Sequence, residues 1–478
     1  MHITFLTPPV FTHQKAAERT AGCTNVVYSM PNIYELIVAA LVEQMGHVVS
    51  YRDFVLEKNG LRRFRDFLRD DISDIYFFWT VNLSLETDAW AAKEIHQVNQ
   101  NALIVFQGPG ATFFPEKLLL SEKCVIVRGE PEQTVGELVN AVDKGLDWES
   151  LKGITWLMEG RPKRNPSRPL IQNLDELPFP ARHLIKNYEY FNPKLKRRPY
   201  TTVLTSRNCP YNCIYCVPSS LTFAREIDYK AENGKKPPVS FRSIENIVAE
   251  IEQLAADGYK AIAFVDDNFI VSEKRLMPIC KVLKKHNIAW GCQARADAIT
   301  ENIARILGES GCRFVDLGVE SFDDEILSYI RKGLTSNQIY AGIELLKKHK
   351  VPVKLNILIG TSPLETPETI KKTVDKAQEL DVNQVMINIV APFPGTEFYR
   401  LAKENGWILG GDYVPTDVQQ DSILNYPNLS NRQMTRILHQ SNVRFFLRPS
   451  LIWRHLRQFR SLKEFGGAFR AFRIKLFG

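Results

Sequence analysis

Three of the eight cysteines of this chain lie together in the segment Asn208-Cys209-Pro210-Tyr211-Asn212-Cys213-Ile214-Tyr215-Cys216. The spacing C-x3-C-x2-C lets one loop surround an iron–sulfur cluster with three thiolates. A four-iron cluster normally takes four ligands, so three cysteines leave one iron open for a cofactor or a substrate. We therefore predict an iron–sulfur site whose metal ligands are Cys209, Cys213 and Cys216.

Two other uses of cysteine fit the sequence less well. A structural zinc site needs a second C-x2-C pair or downstream histidines at ligand spacing, and the sequence has no such pair. A disulfide framework is untypical of a chain of 478 residues in which the other cysteines are scattered singly. These other cysteines are Cys23, Cys124, Cys280, Cys292 and Cys312.

The cysteine segment resembles the signature of the radical S-adenosylmethionine enzymes, including the aromatic Tyr215 before the third cysteine. The resemblance implies that the amino and carboxylate groups of S-adenosylmethionine chelate the open iron. It also implies that the reduced cluster splits the sulfonium and gives a 5′-deoxyadenosyl radical. All three cysteines would then be catalytic as well as metal-binding.

Length and composition limit the number of domains and the class of protein. A chain of 478 residues predicts two or three domains, and 44% hydrophobic with 24% charged residues is typical of a soluble globular protein. The sequence shows neither a signal peptide nor an apolar run long enough for a membrane span, so we expect a cytoplasmic protein. The net charge of +7 is concentrated in residues 442–478, which hold nine Lys and Arg against one acid.

Residues 1–145 alternate short apolar strands with amphipathic helices, which predicts an open parallel α/β sheet of the flavodoxin or Rossmann type. Ligands of such sheets lie at the carboxyl ends of the strands. The predicted strands are His2–Leu6, Val48–Tyr51, Asp74–Trp79, Leu103–Phe106 and Val125–Val127, and the predicted helices are Asn32–Met45, Glu86–Asn99 and Glu132–Asp143.

The loops after the third, fourth and fifth strands resemble those of the cobalamin-binding domain of one large branch of the radical enzymes. The resemblance implies that cobalamin is bound by Thr80, Ser84, Gly108, Gly110, Gly129 and Glu130. Gln107-Gly108-Pro109-Gly110 departs from the more usual Gly-Gly-Pro-His, and no D-x-H-x-x-G motif would supply a histidine to cobalt. The alternative is a vestigial flavodoxin-like domain that binds nothing, with glycines that serve only in turns.

Residues 146–199 form a proline-rich connector, for which we predict an extended crossing without regular helix. From residue 200 to 410 strand and helix alternate six times, which predicts a partial (β/α)6 barrel of the TIM type. The cysteine loop follows the first of these strands. The six predicted strands are Thr201–Thr205, Ala261–Val265, Ala289–Cys292, Phe314–Gly318, Val353–Ile359 and Gln384–Val390.

The other strand ends carry polar or small residues, which the resemblance assigns to S-adenosylmethionine. The Asp266 segment stands where the backbone holds the amino end, and Arg295 would meet the carboxylate. Glu320 would accept hydrogen bonds from the ribose hydroxyls, and Gly360 would begin a turn that contacts adenine. Tyr215 completes this set. Asp and Glu at strand ends also cap helices without any further role.

Residues 411–478 predict a basic helical extension. In it Leu451, Ile452, Leu456, Phe459 and Leu462 share one helical face, and Arg454, Arg457 and Arg460 share the other. This pattern fits peripheral contact with an anionic inner membrane surface or a tail helix docked on the barrel. Nucleic-acid binding is less favoured, because no recognised RNA-binding module accompanies the charge.

The resemblance implies a [4Fe-4S] cluster, S-adenosylmethionine, cobalamin and a flavodoxin- or ferredoxin-type electron donor. It implies a methyltransferase that acts on an unactivated carbon, and the tail favours a small hydrophobic substrate such as a lipid, isoprenoid or tetrapyrrole. Ring formation, ring contraction and oxygenation are alternatives within the same chemistry. A non-enzymatic cobalamin or redox sensor is the alternative of another class, and an RNA methylthiotransferase lacks its second cysteine triad.

Overall fold

The computed structural model describes residues 1–11, 15–21, 24–26, 28–186 and 188–448. The chain divides into two compact units. The first unit consists of residues 1–210, 217–294 and 305–314, and the second consists of residues 211–216, 295–304 and those from 315 onward.

The first unit begins with the predicted parallel sheet. Its strands are β1 (His2–Thr7), β2 (Val48–Asp53), β3 (Ile75–Trp79), β4 (Leu103–Gln107) and β5 (Cys124–Val127), in the spatial order β2-β1-β3-β4-β5. Helices cover both faces, and each predicted helix is present. They are α1 (Ile33–Gln44), α2 (Gly60–Asp70), α3 (Leu85–Val98), α4 (Pro109–Phe113), α5 (Pro115–Leu118) and α6 (Pro131–Asp143).

The central strands of this sheet are buried on both faces. All five residues of β3, Ile75 to Trp79, are buried, as are all five of β4. A parallel sheet covered by helices on both sides requires such continuously apolar strands, because neither face meets water. The sheet therefore holds a rigid carboxyl edge on which its loops are mounted.

The connector contains regular structure that the sequence analysis did not predict. Strands β6 (Ile154–Met158) and β7 (Arg161–Arg164) form a hairpin that extends the first sheet in the antiparallel sense. Glu159 and Gly160 both have positive φ, 52° and 74°, as a two-residue hairpin turn of type I′ requires. Pro162 is tolerated because β7 is an edge strand, where a missing N–H costs no ladder bond.

The rest of the first unit carries the first three strands of the predicted barrel. In it β8 (Tyr200–Val203) pairs in parallel with β11 (Ala261–Phe264), which pairs with β12 (Ala289–Ala294). A small antiparallel pair joins β9 (Ser206–Arg207) to β10 (Ser240–Phe241). The helices are α7 (Ser220–Asn233), which the sequence analysis missed, α8 (Ile244–Ala256) and α9 (Glu273–Lys285).

The second unit carries the remaining barrel strands, again parallel. Strand β13 (Cys312–Glu320) pairs with β14 (Val353–Ile359), and β14 pairs with β15 (Gln384–Ile389). All six predicted strands are thus present, and the predicted α/β architecture is confirmed. The helices in this part of the chain are α10 (Glu301–Glu309), α11 (Asp324–Tyr329), α12 (Ser336–Lys348), α13 (Pro367–Glu379), α14 (Glu397–Glu404) and α15 (Asn431–Phe446).

The predicted amphipathic tail helix of residues 451–462 lies outside the described residues. Two basic residues that precede this segment are described, and both contact α13. Arg444 pairs with Asp375 at 2.5 Å, and Arg448 donates to the carbonyl of Gln378 at 2.9 Å. Among the described residues, no helix has the length and the apolar character that crossing a membrane requires.

Candidate active site

The cysteine loop follows β9 and carries three cysteines that form no disulfide. Cys209, Cys213 and Cys216 are partly exposed, and none forms a disulfide. In the described ranges no group of three or more His, Cys, Asp or Glu side chains is placed to hold one metal ion. Each cysteine of a cubane site binds a different iron, so three cysteines on one loop match the donor set of a [4Fe-4S] cluster.

The second unit anchors the carboxyl half of this loop through its backbone. Ile214 donates its N–H to the carbonyl of Ile330 at 3.2 Å, and its carbonyl accepts from the N–H of Phe398 at 2.9 Å. Tyr215 is buried, and this burial, together with the nearby Glu320 carboxylate, raises its pKa well above the usual value. Tyr215 therefore remains a neutral phenol beside the cysteines.

Glu320 ends β13 in an unusual backbone conformation. Its φ is +65°, at a register shift between Gly318 and Glu320, and the residue is 6% exposed. Its Oε1 lies 2.8 Å from Nζ of Lys332, which lies 3.4 Å from the Tyr215 hydroxyl. A β-carbon at Gly318 would lie 2.8 Å from the carboxylate and 2.9 Å from the ammonium. The glycine thus makes room for the ion pair.

Lys332 is the residue at this site that the sequence analysis missed. Burial alone would lower its pKa, but the nearby Glu320 carboxylate and then Cys213 outweigh burial and raise the pKa. Lys332 therefore carries its charge next to the cysteine loop, where a positive charge favours thiolates and an anionic cluster. The only signal in the sequence was a lysine before Gly333 in the loop that follows α11.

Arg295 makes contacts within the second unit that the sequence analysis did not foresee. Its Nε and one terminal nitrogen donate to Asp297 at 3.0 and 2.9 Å, and further N–H groups donate to the carbonyls of Lys332 and Gly333. The guanidinium also stacks on the ring of Tyr211, 3.5 Å from its centroid. Most of its donors are therefore occupied, and its predicted contact with a cofactor carboxylate remains a prediction.

Gly360 begins a tight turn, as predicted. Its φ is +78°, and its N–H donates to Glu365 at 2.8 Å. Its carbonyl accepts from the Tyr426 hydroxyl at 2.7 Å, and a β-carbon there would lie 2.6 Å from Sδ of Met434. Thr361 donates to the same Glu365 carboxylate through N–H and hydroxyl, at 2.7 and 2.6 Å. The turn is therefore fixed by buried hydrogen bonds and has no room for a side chain.

Asp266, in the first unit, is fully buried at the end of β11. Its carboxylate accepts from the backbone N–H of Thr205 at 3.1 Å and from the hydroxyls of Thr205 and Ser206 at 2.7 and 2.6 Å. The side chain thus holds the chain segment that leads to the cysteine loop. The predicted contact of its backbone with S-adenosylmethionine remains a prediction.

The loops predicted for cobalamin meet at the carboxyl edge of the first sheet. Gly108 has a φ of +90°, and a β-carbon there would lie 2.7 Å from the carbonyl oxygen of Thr80. A β-carbon on Gly110 would lie 2.7 Å from the backbone of Val81. Ser84 uses its hydroxyl locally, accepting from Val81 and donating to Asp88 at 2.9 Å. The two glycines are therefore required by the close approach of neighbouring loops.

The same edge carries buried polar atoms without a partner among the described residues. They are the Thr80 hydroxyl and both amide atoms of Gln107. Oε1 of Glu35, at the start of α1, also lacks a partner, and burial raises the pKa of Glu35 to about 8. Native proteins leave few buried polar groups unpaired. Because ligands of open α/β sheets lie at this edge, these atoms fit a polar ligand such as cobalamin.

Gly129 and Glu130, after β5, differ from this pattern. A β-carbon on Gly129 would lie 3.2 Å from the carboxylate of Asp228. Glu130 already uses both carboxylate oxygens within the first unit. One accepts from Arg207 at 2.9 Å, and the other accepts from the N–H of Ile171 at 2.7 Å. The predicted contact of Glu130 with cobalamin therefore competes with existing bonds.

Known proteins share both the sequence and the fold. Residues 203–377 match the family described as the Radical SAM superfamily. An uncharacterized methyltransferase of Pyrococcus horikoshii is 30% identical over 458 residues, covering 95% of this chain and 94% of the relative. The hopanoid C-3 methylase of Methylococcus capsulatus is 25% identical over 395 residues, covering 80% of this chain and 70% of the relative.

A solved structure has the same architecture. The radical S-adenosylmethionine methyltransferase TsrM from Kitasatospora setae, with cobalamin and a [4Fe-4S] cluster bound, is 18% identical. The match covers 84% of this chain and 75% of TsrM, with a TM-score of 0.63. At this identity the likeness establishes the fold, and it confirms the predicted fold class.

Proposed function

We propose that this chain, which belongs to the radical S-adenosylmethionine enzymes, depends on cobalamin and methylates an unactivated carbon of a hydrophobic substrate. The observation that carries this proposal is the joint presence of two features. One is a loop with three cysteines at C-x3-C-x2-C spacing, none of which forms a disulfide. The other is the set of unpartnered buried polar atoms at the carboxyl edge of the first sheet.

Family membership implies a [4Fe-4S] cluster and S-adenosylmethionine, and we assign cobalamin as the third cofactor. When bound, the cluster and S-adenosylmethionine supply radical chemistry, and cobalamin supplies the methyl group. We assign Cys209, Cys213 and Cys216 as the ligands of the cluster. Thr80 and Gln107 would give cobalamin the hydrogen bonds that the described chain leaves unmade.

The residues of the second unit would bind and orient S-adenosylmethionine. The Glu320 carboxylate would accept hydrogen bonds from the ribose hydroxyls, and Lys332 holds that carboxylate in place at 2.8 Å. The turn at Gly360, fixed by its buried hydrogen bonds, would contact the adenine ring. Side chains and backbone that are already ordered lower the entropic cost of positioning the reactants. Positioning the reactants is the main contribution of the protein in cofactor-based radical chemistry.

The hydrophobic class of the substrate is supported by one relative. The hopanoid C-3 methylase, whose name states a hopanoid as its substrate, aligns over 80% of this chain. The basic and apolar tail of residues 451–478 supports the same class, because such segments suit contact with anionic membranes. A flavodoxin- or ferredoxin-type donor would supply the electron.

The test begins with protein purified and reconstituted without air. We expect about four irons per chain, an absorption change on adding cobalamin, and formation of 5′-deoxyadenosine with a reductant. Deuterated methyl groups of S-adenosylmethionine should appear in product when lipid, isoprenoid and tetrapyrrole substrates are offered. Zinc in place of iron, or 5′-deoxyadenosine formed by the triple alanine variant of the cysteines, would overturn the proposal.

A matched cysteine variant controls this test. Cys280→Ala removes a free thiol on α9 that is buried, and burial raises its pKa to about 12, so it is a neutral core group. We expect Cys280→Ala to keep iron and 5′-deoxyadenosine formation, and Cys213→Ala to lose 5′-deoxyadenosine entirely. A turnover product that is cyclised, contracted or oxygenated without a methyl group would favour the alternative radical outcomes. Cofactor binding without 5′-deoxyadenosine would favour a sensor.

A further inference from the structure

A network of buried charges in the first unit connects the loop after β5 to the strand that enters the cysteine loop. Arg207 ends β9, two residues before Cys209, and is 1% exposed. One terminal nitrogen donates to Glu130 at 2.9 Å, and the other donates to Glu132 at 2.5 Å. The Arg207 guanidinium therefore bridges the Glu130 and Glu132 carboxylates, which are also buried.

A second arginine completes this network. Nε of Arg225, on α7, lies 3.1 Å from the Glu130 carboxylate, and its guanidinium also hydrogen-bonds the side-chain oxygen of Asn208. The Asn208 amide donates in turn to Glu226 at 3.1 Å. Asn208 directly precedes Cys209 and has a φ of +72°. Its uncommon backbone conformation is thus held by contacts on both sides of its side chain.

The charges in this network balance, which explains how they can be buried. Glu130 and Glu132 face Arg207 and Arg225, and removing one partner of a buried pair leaves an uncompensated charge. A surface ion pair gives little order, because water competes for both partners. A buried and forked pair fixes the position of the backbone on which it is mounted.

We propose that Glu130 and Glu132 act through Arg207 as positioning residues for Cys209, and that they thereby couple the cobalamin site to the cluster site. The coupling rests on the proposed function, whereas the positioning of Cys209 does not. The loop of residues 128–130 and the first turn of α6 lie at the carboxyl edge of the first sheet, where a ligand of that sheet would lie. A ligand that orders this loop also orders Arg207, so the second cofactor binds at a smaller entropic cost.

The first experiment measures how firmly the cluster is held. Reconstituted protein without air is mixed with an iron chelator, and iron release is followed for the wild type, Glu132→Gln and Glu137→Gln. Glu137 is the matched control. It lies on the same helix α6 as Glu132 and also pairs with an arginine, Arg168, but it lies at the surface, where its side chain is 50% exposed. We expect Glu132→Gln to release iron at least about fivefold faster, and Glu137→Gln to behave as the wild type.

The second experiment measures the coupling. The dissociation constant of hydroxocobalamin is determined for each protein with and without its cluster. The wild type and Glu137→Gln should bind cobalamin at least about fivefold more tightly with the cluster present, and in Glu132→Gln this ratio should approach one. A core that merely needed the ion pair for stability would change the unfolding transition of Glu132→Gln and leave the ratio intact.

The outcomes separate the two claims. Equal iron release from Glu132→Gln and the wild type overturns the positioning role, and equal ratios overturn the coupling. If the wild type takes up no cobalamin, the methyl-transfer proposal fails while iron release still decides the role of Glu132. Should Glu132→Gln not fold, Arg207→Lys replaces it, because lysine keeps the charge but reaches one carboxylate at a time.

Discussion

Buried polar groups are satisfied differently in two regions of the molecule. Around Tyr215, in the second unit, Glu320 is paired with Lys332 and Arg295 with Asp297. At the carboxyl edge of the first sheet, by contrast, Thr80, Gln107 and Glu35 have buried atoms without a partner in the described residues. The first region is ordered by its own side chains, whereas the second would gain hydrogen bonds from a ligand. The predictions below probe this difference.

The largest effect is expected for Lys332→Met, which leaves Glu320 buried without its counter-ion. Removing one partner of a buried pair costs about 3–5 kcal/mol, so the free energy of unfolding in denaturant should fall by that amount. Lys347→Met is the control, because its pair with Glu344 is at the surface and such pairs contribute about 0–1 kcal/mol. Adding Glu320→Gln to Lys332→Met removes the unpaired buried charge, so the double variant should regain stability. If it does not, the loss of the ion pair is not the cause.

Glu35→Gln tests the carboxyl edge of the first sheet through the pH dependence of stability. Burial raises the pKa of Glu35 from 4.5 to about 8, so the folded state keeps a proton that the unfolded state releases between those values. The free energy of unfolding contributed by this group should therefore fall as pH rises from about 5 to 8, by a few kcal/mol at most. The glutamine variant should lose this dependence and gain relative stability at high pH. A difference between the two proteins that is constant with pH would contradict the assignment.

Gly360→Ala tests the rigidity of the second region. The added methyl group meets Met434 at 2.6 Å in a left-handed conformation, so we expect a loss of about 2–3 kcal/mol in unfolding free energy. Gly406→Ala shares the positive φ, at +66°, but a β-carbon there has nothing within 4 Å. The control should lose only about 1 kcal/mol from backbone strain. Equal losses would mean that packing around Gly360 is loose.

Gln107→Leu should have the smallest effect on stability. Replacing an unpartnered buried amide by an apolar group of similar size should leave the unfolding free energy unchanged or raise it by about 1 kcal/mol. Cobalamin affinity should nevertheless fall roughly tenfold, equivalent to one lost hydrogen bond of about 1.4 kcal/mol. Gln133→Leu, on the exposed face of α6, is the control for both measurements. A stability loss above 1 kcal/mol would show that Gln107 already has a partner.

Most of the fold could be predicted because it is encoded locally. The continuous apolar run of β3 and the six strands β8 and β11–β15 are patterns of neighbouring residues, and the observed strands agree with them closely. The hairpin of β6 and β7 was missed because Pro162 is read as a breaker, and only an edge position makes this proline acceptable.

The site was predictable only in part, for the same reason. The cysteine spacing and the turn at Gly360 lie in short segments, so the sequence shows them directly. Lys332 was missed, and the carbonyl partners of Arg295 and the arginine partner of Glu130 were not foreseen, because each of these contacts joins segments that are separated in the sequence. Arg207 and Glu130, for example, are 77 residues apart. No local pattern identifies such pairs. The pair of Arg295 with Asp297 is local and is the exception.

The turn at Gly360 has a consequence for any shortened form of this protein. Tyr426 and Met434, which touch it, come after residue 410, where the barrel was predicted to end. A protein truncated at that point would keep all six strands but lose the contacts of Tyr426 and Met434 with the turn. The segment that looks like an appendage in the sequence is therefore a part of the barrel's own scaffold.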